Sequence, residues 1–327
     1  MVEMLWRRAL QSVETLFTAG WSVSEVAYAM RHPRRLLADP FRDAVREDIA
    51  EHGLYKTFPK EARPLKLRSD GYLIGSNPYV RVGPGGTDPI VARLSRHREP
   101  RARRLLIVCH CYGLPMPRVM ETIFGLRGLE GYDVVVNIMN HHYLGGFSFW
   151  PGFGLLSPQM SRVIESVRSA VTGLRCLIKS LVDIFGYEEV ALLGYSIGGH
   201  ISLHVANHHP VDKLIAYCPV TSLRQTATEL GLMSFAEGGV TRALRGLQGE
   251  AFDFADLDCL DPLQYDLKLS PEQLLIVLQT LDMMVPTHQS QRLMDRYPQS
   301  RCVEFPGTHT FPVEQQAMIR LLREFLA

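Results

Sequence analysis

Residues 189–206 read Glu-Val-Ala-Leu-Leu-Gly-Tyr-Ser-Ile-Gly-Gly-His-Ile-Ser-Leu-His-Val-Ala. The first five residues are a short apolar run of strand character, and the last eight carry a helical apolar repeat. Between them Gly194-Tyr195-Ser196-Ile197-Gly198 has the form G-x-S-x-G. A serine placed between a buried strand and a helix, with small residues on either side, is forced onto a tight turn that exposes its hydroxyl. The helix that begins there aims backbone N–H groups at whatever the hydroxyl attacks. The pentapeptide alone is a weak pattern; its strand and helix make it specific.

The same alternation extends to either side. Leu105–Cys109 is an apolar run, followed by a Gly/Pro turn and a predicted helix from Arg118 to Leu129. Strands are predicted at Asp133–Met139, Leu214–Cys218, Leu274–Gln279 and Cys302–Phe305, with helices at Ser161–Phe185, to about Asn207, and at Val313–Phe325. Apolar strands alternating with helices through short links predict an α/β fold, a mostly parallel sheet covered on both faces. Ligands in such sheets sit at the carboxyl ends of the strands. One stretch breaks the rhythm. About 221–272 is too long for a structureless loop and reads as an inserted helical cap.

Upstream, residues 1–53 read as a helical extension ending at Gly53, with 54–327 as the main domain. Residues 54–100 are rich in Pro and Gly, with short strands predicted at Tyr72–Ile74, Tyr79–Val82 and Ile90–Leu94. Val2, Leu5, Trp6, Leu10, Val13, Leu16 and Phe17 recur at helical spacing. This first helix is expected to pack on the rest of the protein, with peripheral membrane contact as the alternative. The segment lacks the apolar core and cleavage site of a signal peptide, and no stretch has the length and apolarity of a transmembrane span.

The 327 residues are 46% hydrophobic with a formal net charge of +1, which suits a large core and gives no sign of a nucleic-acid partner. The arginines of the N-terminal third, such as Arg101, Arg103 and Arg104, read as a solvated surface. Six cysteines without zinc spacing, several in apolar runs, suit reduced core thiols and a cytoplasmic location. His200 and His204 stand one helical turn apart, but the glutamate of H-E-x-x-H is missing and no metal is expected.

A serine hydroxyl is a poor nucleophile without a base, and that base needs an acid to orient it. Past the strand ending at Gln279 comes Thr280-Leu281-Asp282-Met283-Met284-Val285-Pro286; past the strand ending at Phe305 comes Pro306-Gly307-Thr308-His309. Three strands thus deliver Ser196, Asp282 and His309 to one edge, in that order. Asp261 and Glu229 are rival acids. His288 is a rival base, set aside because it belongs to the following helix.

With G-Y-S-I-G, L-D-M-M-V-P and G-T-H in these contexts, about residues 100–327 resemble the alpha/beta-hydrolase superfamily. The resemblance implies Ser196 as nucleophile, His309 as general base and acid, and Asp282 as the group orienting the histidine. Superfamily members often carry His-Gly after the strand that here ends at Cys109; this chain has His110-Cys111-Tyr112-Gly113. The implied oxyanion donors are the backbone N–H groups of Ile197 and Tyr112. The loop Gly145–Gly154 emerges on the same edge, so Phe149 and Trp150, with Phe235 from the cap, are candidates for a substrate pocket. The expected function is cofactor-free hydrolysis of carboxylic esters, the partner being a small-molecule ester or acyl substrate. Thioesterase, lipase, peptidase and acyltransferase chemistry with the same residues are alternatives, as is a non-catalytic binding protein of the same fold.

Overall fold

Strands that are apolar on every residue need cover on both faces, and the sheet of this protein has it. The computed structural model describes residues 39–55, 64–79, 81–82, 88–96, 103–112, 117–140, 159–229 and 254–327. Nine strands form one sheet: β1 (Leu65–Leu67), β2 (Tyr72–Ser76), β3 (Pro89–Ser95), β4 (Arg104–Cys109), β5 (Tyr132–Ile138), β6 (Glu189–Tyr195), β7 (Lys213–Tyr217), β8 (Leu274–Gln279) and β9 (Arg301–Phe305). Their order is β1-β2-β3-β5-β4-β6-β7-β8-β9. The first three strands pair antiparallel, and β3 joins β5 antiparallel. From β5 to β9 every pair is parallel.

The described helices are α1 (Arg42–His52), α2 (Pro117–Ile123), α3 (Met160–Phe185), α4 (Ile197–His208), α5 (Leu223–Glu229), α6 (Thr287–Arg296) and α7 (Gln315–Leu326). The alternation of strand side chains sorts the core into two layers. Leu105, Ile107 and Cys109 of β4 face the layer shared with α3 and α4. Leu106 and Val108 face the other, shared with α2 and α7. All of β5 is buried, and the valines at its centre, Val134–Val136, are covered on both faces.

Most predicted elements appear with boundaries shifted by a residue or two. Three expectations change. Tyr79–Val82 contributes no strand in its described residues. Its polar groups go to α3 instead: the Tyr79 hydroxyl donates to Glu165 Oε1 at 2.7 Å and the Val82 N–H to Glu165 Oε2 at 2.7 Å. The edge strand β1 is an addition, because Leu65-Lys66-Leu67 is too short to show a period. Helix α2 ends at Ile123 rather than running to Leu129, since Gly125 and Gly128 take left-handed backbone (φ +61° and +67°). Residues 1–38, 141–158 and 230–253 lie outside the described residues. With them lie the predicted first helix, the Gly145–Gly154 loop and the middle of the expected cap.

An ionic network holds α1 against α3. The wholly buried Arg168 pairs with Asp48 of α1 at 2.8 Å and with Glu165 at 2.9 Å, and its Nε donates to the Leu54 carbonyl at 2.6 Å. Arg42 adds a 2.5 Å bond to Asp256, and Asp39 accepts from the Ser161 backbone at 2.9 Å. Replacing Arg168 strands two carboxylates, a loss of about 3–5 kcal/mol for a broken buried pair. Arg168→Met is therefore expected to lower unfolding free energy by at least about 3 kcal/mol in urea titrations; a loss below about 1 kcal/mol would contradict this role.

Within α4, His200 and His204 are fully buried and stack edge to face at 4.7 Å. His200 Nδ1 donates to the Val220 carbonyl at 3.1 Å and His204 Nε2 to the Leu260 carbonyl at 2.8 Å. Burial lowers the pKa of His200 to about 4 and that of His204 well below its ordinary value. Each is thus neutral in the fold and takes a proton on unfolding below about pH 6.5. Stability is expected to be level above pH 6.5 and to fall toward pH 4, each such histidine adding about 1.4 kcal/mol per pH unit. Denaturation curves of His204→Gln across this range should be shallower by about one proton; an unchanged slope would refute the assignment.

Candidate active site

The turn after β6 is made by close approach of backbones. Helix α4 begins so near the ends of β4 and β6 that side chains at two positions have no room. A Cβ on Gly198 would stand 2.1 Å from the Cys109 carbonyl oxygen, and one on Gly194 would stand 2.6 Å from the Gly198 carbonyl oxygen. Those two glycines are needed for space. Ser196 itself takes φ +60°, ψ −121°, a strained conformation for a residue with a side chain. Backbone hydrogen bonds to β7, to the loop after it and within α4 clamp it there. Its N–H donates to the Tyr217 carbonyl at 3.0 Å, and its carbonyl accepts from Val220 and His200 N–H at 3.2 Å each. The Ile197 N–H stands at the first position of α4.

Asp282 and His309 follow β8 and β9, as the sequence predicts, and meet. The His309 Nδ1 to Asp282 Oδ2 distance is 2.6 Å, and both side chains are almost wholly buried (3% and 1% exposed). The other carboxylate oxygen, Oδ1, accepts from Met284 N–H at 2.9 Å and Val285 N–H at 2.7 Å. Three hydrogen bonds thus fix the Asp282 carboxylate, which holds the imidazole in one orientation.

The dyad lies against the serine turn. The ring of Tyr195, the residue before Ser196, packs on the His309 ring with centroids 5.0 Å apart, and its hydroxyl donates to the His309 carbonyl. Tyr195, Tyr217 and Phe124 stack edge to face at 5.2–5.8 Å beneath. Gln279 Nε2 donates to the Tyr217 hydroxyl at 2.6 Å. This aromatic floor ties the ends of β6, β7 and β8 to the loop carrying His309.

The rival residues are engaged elsewhere. Asp261 binds Arg292 at 2.5 Å and accepts from Leu263 N–H at 2.9 Å. Glu229 and His288 face each other at 2.9 Å.

Two neighbours of the site, His110 and Cys218, have contacts that are not evident from sequence. His110, fully buried after β4, donates from Nδ1 to the Cys111 carbonyl at 2.7 Å and accepts at Nε2 from Met139 N–H at 3.1 Å. That pattern defines a neutral ring, and burial lowers its pKa to about 4. It braces the turn on which Tyr112 stands. A histidine directly after an apolar strand is the available signal; its partner 29 residues away leaves none. Cys218, at φ +43°, is with Ser196 one of two non-glycine residues with positive φ among the described residues. Its sulfur lies within 4.8 Å of ligand atoms of Asp282 and His309. Cys109, by contrast, has its thiol pushed up to about 12 by burial. The pocket candidates Phe149, Trp150 and Phe235 lie outside the described residues.

No protein-family model matches the sequence, and no curated protein resembles it at a significant level. Solved structures do resemble it in fold. The acylaminoacyl peptidase of Pyrococcus horikoshii aligns with a TM-score of 0.53 at 14% identity, over 82% of this chain and 41% of that one. Est1E of Butyrivibrio proteoclasticus aligns at 0.51 and 14% identity, over 81% and 98%. Esterase PE8 aligns at 0.50 and 16% identity, over 72% and 99%. At such identities the likeness is one of fold. The sheet order, the serine turn after β6 and these neighbours together establish that the chain has the alpha/beta-hydrolase fold.

Proposed function

We propose that the protein is a serine hydrolase that cleaves carboxylic esters through an acyl-enzyme. The observation that carries this reading is the buried 2.6 Å His309–Asp282 pair packed against a turn that holds Ser196 at positive φ. A nucleophile on a strained turn, a base on a neighbouring loop and an acid orienting that base are the parts acyl transfer needs. Solved hydrolases of the same fold, among them esterases, add support.

In this reading His309 Nε2 takes the Ser196 proton as Oγ attacks the substrate carbonyl. Asp282 keeps the Nδ1–H in place and stabilises the imidazolium that forms. The Ile197 and Tyr112 N–H groups receive the negative charge on the tetrahedral oxygen. The imidazolium returns its proton to the departing alcohol, leaving an acyl group on Ser196. Water, deprotonated by the same histidine, then releases the acid. Apart from the substrate and this water, every group in these steps belongs to the chain.

We also read 54–327 as the hydrolase domain, with 1–53 as its extension and about 221–272 as the cap. Free cysteines support a reducing, cytoplasmic location. No helix among the described residues is long and apolar enough to cross a membrane.

A fluorophosphonate probe is expected to label the wild-type chain and not Ser196→Ala; absence of labelling on folded wild-type protein would refute catalysis. On p-nitrophenyl esters, Asp282→Asn should lower kcat by about 10³–10⁴, the loss expected when an orienting acid is removed. Asp261→Asn should stay within about threefold of wild type. The opposite ranking would reassign the acid.

A further inference from the structure

A cleft lies along the face of the sheet that carries α2, bordered by β3, α2 and the start of β5. Its volume is about 720 Å³, within the range of small-molecule sites. Tyr132 at its floor pairs in register with Arg104 of β4, which in turn pairs with Glu189, the first residue of β6. That is five residues, about 17 Å of strand, from the register of Gly194. The floor is thus set apart from the serine turn.

The charge of the lining is one-sided. Arg93, Arg96, Arg118 and Arg127 border the cleft, and among its described lining residues Glu121 is the only carboxylate. Glu121 is already committed: it is 2.8 Å from Arg93, accepts from the Ser95 hydroxyl at 2.5 Å, and lies 3.9 Å from Arg127. Among the described residues no carboxylate meets Arg96 or Arg118 in an ion pair. The Arg96 guanidinium stacks over the Phe185 ring, 5.0 Å from its centroid. Stacking covers the face of a guanidinium and leaves its N–H edge available for a forked contact with an oxyanion. The floor beneath is apolar, formed by Leu126, Leu129 and Val134.

We infer that this cleft binds a phosphate ester, with the phosphate held by Arg96, Arg118 and Arg127 and the attached body lying on the apolar floor. Several guanidiniums facing one committed carboxylate favour a doubly charged oxyanion over a single carboxylate, because each added cation lowers the energy of a second negative charge. A cleft of this volume takes a phosphate with a compact substituent, which a free phosphorylated metabolite and a phospholipid headgroup both provide. Such binding is independent of the proposed hydrolase reaction.

The test uses the full chain at low ionic strength. Isothermal titration with sodium pyrophosphate should show saturable binding of one ion per chain. In Arg96→Gln/Arg118→Gln the affinity should fall at least tenfold, while Arg103→Gln, an exposed arginine paired with Glu188 at 3.0 Å outside the cleft, should bind as wild type does. Urea midpoints equal to wild type establish that the variants fold; if the double variant does not, Arg118→Gln alone is expected to weaken binding measurably.

Co-sedimentation with phosphatidylcholine vesicles, with and without phosphatidic acid, distinguishes the sources. Pyrophosphate binding without pelleting supports a free phosphate ester. Pelleting that requires phosphatidic acid, is displaced by pyrophosphate and is lost in the variants supports a lipid headgroup. The inference is overturned by failure of both probes, or by binding that the arginine substitutions leave unchanged. It is also overturned if a DNA duplex binds more tightly than pyrophosphate through the same arginines.

Discussion

The packing of α4 onto the ends of β4 and β6 is the constraint on which the whole site rests. Backbone meets backbone there, with the Gly198 Cα facing the Cys109 and His110 carbonyls where any Cβ would collide. Because the helix starts this close to the sheet, the chain must turn within one residue, and Ser196 takes up the strain. The strain persists because the Ser196 N–H donates to the Tyr217 carbonyl while its carbonyl accepts from the Val220 and His200 N–H groups. A larger residue at either glycine would push the helix away and release the turn.

The polar groups around this turn are organised in the same way. A buried imidazole or carboxylate is tolerated only when its hydrogen bonds are made inside the protein. Asp282 has three such bonds, and His110 uses both ring nitrogens. The aromatic floor of Phe124, Tyr195 and Tyr217 closes the opposite side. Electrostatic preorganisation of this kind, with groups held before a substrate arrives, is what acyl-transfer chemistry requires of a site. The arginine-lined cleft is its converse. There the cations exceed the acid that faces them, and the missing charge is left for a ligand.

Much of this is legible in residue order. Apolar runs such as Leu105–Cys109 and Leu274–Gln279 announce buried parallel strands because both faces of such strands are covered. The residues beyond their ends name Ser196, Asp282 and His309. Where the pattern is polar or short it misleads. Tyr79–Val82 resembles a strand by composition, yet its hydrogen bonds go to Glu165 on α3. Arg168 looks like a surface residue of a long helix and is wholly buried, because Asp48 and Glu165 converge on it from two helices.

Residue order alone thus settled the alternation of elements and the chain order of serine, acid and histidine. Both depend on local periodicity and on the residues just past each strand end. Tertiary packing settled which groups touch. It joined Asp282 to His309 across 27 residues and turned Asp261 toward Arg292 instead. It brought Cys218 beside the dyad and tied His110 to the Met139 N–H, 29 residues away. These are contacts between segments distant in the chain, where neither propensity nor spacing carries information, and only the packing of the sheet sets the distances.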